Sequence, residues 1–163
     1  MERAARPRLA TICHCLSGIM YFLAMSFTER QIADWLGIHP LRTAGQMLQV
    51  VEGQLPTSAI GRLIALGLTR HEVDVLVIPL RTLQHRRSNR EKLTVEESDR
   101  LLRVLRLLSH AESVYGSRDR ALNWLRRPVA KLNKRAPIDV MRTDTGARIV
   151  EELLVQIDEG IFV

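Results

Sequence analysis

The chain has 163 residues, of which 46% are hydrophobic and 4% aromatic, with a formal charge of +6 and an isoelectric point near 10.1. That is apolar material for one good core or two small ones, which excludes compositional disorder. Scarce aromatics beside abundant Leu, Ile, Val, Ala, Arg and Glu favour helices over sheets. The basic balance suits a polyanionic partner without requiring one.

Residues 1–27 place Arg3, Arg6 and Arg8 before an apolar run from Leu9 to Phe27. The outline is that of a secretory leader, but His14, Ser17, Gly18 and Ser26 interrupt the run. The segment is read instead as a disordered or translated leader before the true start at Met20 or Met25, which predicts a cytoplasmic protein without a membrane segment. Cys13 and Cys15 flank His14, and Cys-x-Cys without further paired ligands does not make a zinc site. No metal and no cofactor are expected.

Regular structure is predicted from Thr28, which pairs with Gln31 as a capping box at the start of a short helix closed by Gly37, with Pro40 beyond. A helix over about Thr43 to Val51 should bury Met47, Leu48 and Val51. Pro56, Thr57 and Ser58 lead the next, which ends at Gly67. The first two of these resemble a helix-turn-helix, but the second turns apolar and is read as packing.

The stretch from Thr69 to Arg87 carries the stronger signal. Thr69 and Glu72 form a capping box, and Val73, Leu76 and Val77 give the helix an apolar face. Pro79 stops this helix and opens the next, which has Leu80, Leu83 and Arg87 on its core side and Arg81, Gln84, His85 and Ser88 on the other. A helix-turn-helix lays such a second helix in the major groove, where Arg and Gln meet base edges and phosphates. Arg81, Thr82, Gln84, His85, Arg86, Arg87 and Arg90 are the candidate duplex contacts.

A third capping box, Thr94 with Glu97, opens the longest predicted helix, about Val95 to Tyr115. Its stripe is Leu101, Val104, Leu105, Leu108, Ala111 and Tyr115, with Leu102, Leu107 and Val114 lying off it. Burial on more than one side would follow, either by joining two lobes or in a homodimer. Gly116 closes this helix and Ser117 caps a shorter one, with Trp124 and Leu125 on its core face, halted by Pro128. Pro137 opens a turn. Thr143 or Thr145 caps the last helix, whose stripe is Val150, Leu153, Leu154 and Ile157, with Gly160 terminating it before an apolar tail, Ile161 to Val163. Residues 117–135 are strongly basic and residues 136–163 mainly acidic.

The order VEGQLPTSAIGRL, LTRHEVDVLVIPLRTLQHRR, LTVEESDRLLR, AESVYG, ALNWLRRP, a proline-led turn and TDTGARIVEELLVQIDEGIFV resembles the Xre/MbcA/ParS antitoxin family. Within that family it is most similar to the Xre antitoxins paired with RES-domain toxins, over about Trp35 to Val163. The resemblance implies an all-α protein: a Cro-like helix-turn-helix domain that represses its own operon, followed by a small helical domain that covers the active-site cleft of an NAD-depleting RES toxin. The expected division is 1–27 leader, 28–108 helix-turn-helix domain and 109–163 toxin-binding domain. The partners would be the toxin, operator DNA and a second copy in a homodimer. Candidate toxin contacts are Arg126, Arg127, Lys131 and Arg135 in the basic segment, and Asp158, Glu159, Ile161, Phe162 and Val163 at the end. The sequence departs from the family before Pro137, where Asn133, Lys134 and Arg135 replace a common glycine.

Catalysis is not expected. The five histidines are scattered, no His-Glu-x-x-His or Gly-rich phosphate loop is present, and Glu72 and Glu97 are assigned to caps. The alternative function is a plain helix-turn-helix regulator with no toxin partner, for which the acidic, apolar-tailed end would have no use.

Overall fold

The structure, a computed structural model, describes residues 29–38 and 43–161. The leader, the Cys13 to Cys15 motif, the Thr28 cap, Phe162 and Val163 lie outside the described residues. Those residues contain helices and two isolated β-bridges but no strand: α1 (29–36), α2 (Ala44–Glu52), α3 (Ala59–Ala65), α4 (Arg70–Leu76), α5 (Leu80–Ser88), α6 (Val95–Tyr115), α7 (Arg118–Arg126), a 3-10 turn (Ala130–Leu132), α8 (Pro137–Val140) and α9 (Asp144–Asp158).

Local chemistry sets four of the helix starts. Thr43 caps α2 through the Gln46 N–H, Thr143 caps α9 through the Gly146 N–H, and Thr69 and Thr94 form complete capping boxes with Glu72 and Glu97. In each box the hydroxyl and the carboxylate satisfy first-turn N–H groups that the helix itself cannot.

The 21-residue α6 is the axis of the molecule. Leu101, Leu102, Val104, Leu105, Leu107, Leu108 and Ala111 are all buried, so the leucines off the main stripe are covered as well. They are covered within the chain, since α2, α4, α7 and α9 all pack on α6. One continuous core runs from Ile32 on α1 to Leu154 on α9. Leu108 and Ser109, either side of the expected domain boundary, are consecutive buried residues in the middle of this helix.

Two glycines permit close approaches. Gly67 has φ +99°, and a Cβ there would lie 2.7 Å from Cδ1 of Leu122, so α7 sits against the α3–α4 turn. At Gly146 a Cβ would fall 1.8 Å from the Val140 carbonyl oxygen, where α8 abuts the first turn of α9.

Several expected core positions are instead open. Leu48 is 58% exposed, because α2 turns Met47, Val50 and Val51 toward the core. On α5 only Leu83 is buried, while Leu80 and Arg87 are exposed. Ile157 is half-buried while Leu154 fills the core, whereas Trp124, also half-buried, packs against the core beside Leu125 as expected.

Candidate functional site

The turn between α4 and α5 is buried where it meets the core and open where it faces out. Val77 and Ile78 are fully enclosed. Pro79 stands as the N-cap of α5, with ψ 132°, rather than as its first helical residue. Proline has no side chain with which to cap, and Asp74 supplies the missing acceptor, its Oδ1 taking the Leu80 N–H at 2.6 Å. Sequence reasoning missed this role, whose signal was an acid one turn ahead of a proline-led helix. Leu83 then anchors α5.

The free face of α5 presents Arg81, Gln84, His85 and Arg87 to solvent, with Thr82 half-buried. His85 is held against Asn89, ring nitrogen to amide, at 3.1 Å. Arg86 is placed differently from its neighbours. Its guanidinium lies 3.1 Å from Glu97 and 3.2 Å from Glu91, and only 20% of its side chain is exposed. It works as a strut between the end of α5 and the start of α6, gripping the carboxylate that caps α6. Arg90 is exposed and has φ +57°, in a left-handed turn closed by Arg90 N–H to Arg87 O and Glu91 N–H to Arg86 O.

The basic segment after α6 divides the same way. Arg126 donates from Nε to Glu72 at 2.7 Å, and from Nη2 to Glu72 at 2.9 Å and the Gly67 carbonyl at 2.8 Å. It therefore ties the end of α7 to the capping box of α4. Burial raises the Glu72 pKa, but the hydrogen bond from Arg126, the Thr69 N–H and the Arg126 charge outweigh it, leaving the pKa below its usual 4.5. Lys131 bonds to Gln156 of α9 at 3.0 Å. Arg127 and Arg135 are exposed, and the Arg135 carbonyl accepts from the Val129 N–H to close the loop. The loop turns through Asn133 and Lys134, both at positive φ, a conformation that more often falls to glycine. Asp158, Glu159 and Ile161 are exposed at the end of α9. On α6, burial pushes the His110 pKa down from 6.5, against the opposing charges of Glu151 and Asp158.

Between the ends of α6, α7 and α9 lies an open groove of about 440 Å³, lined by Tyr115, Trp124, Arg127, Val129, Ile157 and Ile161 among others. The Tyr115 and Trp124 rings are 5.6 Å apart and tilted by 32°. Sequence reasoning had placed Ile157 in the core, since helical spacing cannot tell a core face from the wall of a groove, while Trp124 packs on the core with one side and lines the groove with the other. Among the described residues no group of His, Cys, Asp and Glu could hold a metal ion, and no helix is long and apolar enough to cross a membrane.

Comparison with known proteins gives two adjoining matches. Residues 46–106 match the antitoxin Xre-like helix-turn-helix domain, and residues 110–160 match the antitoxin Xre/MbcA/ParS C-terminal toxin-binding domain. The chain is 42% identical over 84 residues to Antitoxin Xre of Pseudomonas putida, covering 52% of this chain and 53% of that protein. It is 34% identical over 86 residues to Antitoxin Xre of Yersinia enterocolitica, covering 52% and 58%. To a Sphingobium protein named Prs ADP-ribosylating antitoxin it is 28% identical over 98 residues, covering 55% and 62%. The chain thus spans little more than half the length of the curated relatives it matches. With α4 and α5 inside the stretch matching the helix-turn-helix domain and the groove beside α9 in the stretch matching the toxin-binding domain, the chain belongs to the Xre/MbcA/ParS antitoxin family.

Proposed function

We propose that this protein neutralises a RES-type, NAD-degrading toxin by covering its active-site cleft, and that it represses its own operon through α4 and α5. The reading assigns residues 28–108 to the duplex and 109–163 to the toxin, with α6 running through both. It places the protein in the cytoplasm, as a homodimer on a pseudo-palindromic operator, and gives it no catalytic step of its own. The observation that carries it is the outward face of α5. There Arg81 and Arg87, with Arg90 beyond, are exposed and carry no ion pair among the described residues, as a helix lying in a major groove requires. The toxin half is supported by the family description of residues 110–160 and by an end that combines Asp158, Glu159 and exposed Ile161. An acidic, apolar-tipped helix end is complementary to a cleft shaped for a dinucleotide, with apolar walls and phosphate-binding cations.

Co-expression with the protein of the adjacent reading frame tests this. Relief of growth arrest, co-purification, and a mobility shift on the operon's own promoter are expected. A chain that shifts the promoter but neither protects cells nor retains the neighbour would be a plain helix-turn-helix regulator.

A further inference from the structure

We propose that the groove between the ends of α6, α7 and α9 seats one bulky apolar side chain of the toxin, carried next to a carboxylate that pairs with Arg127. This rests on the toxin-partner reading above and adds to it a receiving site on the antitoxin, adjoining the acidic end of α9 that would enter the toxin's cleft and sharing Ile161 with it.

The groove has the size and chemistry for such an anchor. At about 440 Å³ it holds one large side chain with its flanking backbone. The tilted Tyr115 and Trp124 rings form one wall, and Val129, Ile157 and the 51% exposed Ile161 supply further apolar surface. Aromatic residues in such settings are where binding energy concentrates.

Charge selects the partner. Arg127 is the one charged residue among the described lining residues. It is exposed and has no side-chain bond among the described residues, whereas adjacent Arg126 is committed to Glu72 and Gly67. A single cation at the edge of apolar walls complements an apolar residue beside an acid, and it does not form the track of cations that a nucleic acid backbone needs. Position agrees. The lining residues from Tyr115 to Gly160 lie within the stretch matching the toxin-binding domain, and none belongs to α4 or α5.

The full chain and the co-expressed neighbouring toxin provide the test. Arg127→Glu and Ala130→Asp alter exposed positions of the groove away from the end of α9, so helicity should be retained. Each is expected to weaken toxin binding by roughly 10- to 100-fold in calorimetry, while promoter binding stays as in the unaltered chain. A 5-fluorotryptophan-labelled Trp35→Phe chain leaves Trp124 as the single reporter, because the sequence has two tryptophans. Its fluorine resonance should shift on adding toxin. Unaltered affinity in both variants with an unmoved resonance, while the parent chain binds toxin, overturns the groove assignment and leaves the partner reading standing. A parent chain that binds no toxin overturns both. Two further results also overturn the assignment. Loss of self-association with toxin affinity intact would give the groove to a second copy. A Trp124 resonance in the free chain that moves when Phe162 and Val163 are deleted, with toxin affinity unchanged, would give it to the chain's own end.

Discussion

Arg126 and Glu72 stand 54 residues apart in sequence and form a two-pronged ion pair, at 2.7 and 2.9 Å, on the carboxylate that also takes the Thr69 N–H at 2.6 Å. The start of α4 is therefore capped by a group that α7 holds in place.

Removing either partner should loosen that helix. Arg126→Met is expected to cost about 1 kcal/mol, because the pair is partly exposed, and Glu72→Ala about 2 kcal/mol, because the cap goes with it. The pH dependence follows from the lowered Glu72 pKa. A carboxylate held below its unfolded value contributes stability that is present above that value and is lost as pH falls through the folded one. Urea midpoints of the parent chain should fall across the acid range, from about pH 5 downward, more steeply than those of Glu72→Gln. Parallel curves would show that the pair contributes nothing.

The arginines of α5 should separate into two groups. Arg81→Ala and Gln84→Ala are expected to weaken operator binding by about 1 to 3 kcal/mol each where they meet bases, with stability unchanged. Arg87→Ala and Arg90→Ala should weaken all duplexes alike and lower the salt slope by about one unit for each lost phosphate contact. Arg86→Ala should lower the melting temperature, because it leaves the buried Glu97 without its guanidinium. Titrations on operator and unrelated DNA at several salt concentrations, paired with melts, distinguish them.

Asp74→Ala removes the acceptor for the Leu80 N–H and should destabilise the joint by about 1 kcal/mol. Operator affinity should fall with it, since α5 loses its fixed start. Amide exchange at Leu80 and Arg81 reads this directly, and unchanged protection there would rule the cap out.

Gly146→Ala should be far more damaging than any surface change. Its Cβ would meet the Val140 carbonyl at 1.8 Å, backbone against helix, so α8 must move and a loss above about 3 kcal/mol is expected. Chemical denaturation measures it.

At the far end, deleting Ile161 to Val163 or changing Asp158 and Glu159 to Lys should leave helicity and promoter binding intact and weaken the toxin complex by about 2 kcal/mol. A tail-less chain that still protects cells would move the occluding residues to the basic segment around Arg127 and Arg135.

What could be read from the sequence was what local chemistry decides. The capping boxes at Thr69 and Thr94 and the full span of α6 depend on residues three or four apart, and the structure has them as expected. Which arginines are free was not legible. Arg86 and Arg87 look alike in a string, yet one meets Glu97 across a turn and the other meets solvent. Arg126 is bound by a residue 54 positions earlier, a distance no periodicity reports. Exposed Leu48 and half-buried Ile157 misled for the same reason, since an apolar residue at helical spacing does not say which side of its helix the core lies on.

The long α6 also governs how this family can be recombined. A hybrid that spliced this chain to a relative at residue 108 would set its seam inside a single rod buried on several sides, where Leu105, Leu108 and Ala111 leave no room for mismatched neighbours. A workable seam falls at the exposed Gly116 turn. Even then Gly67 and Glu72 must travel with Leu122 and Arg126, so the C-terminal stretch cannot be exchanged without revisiting the start of α4.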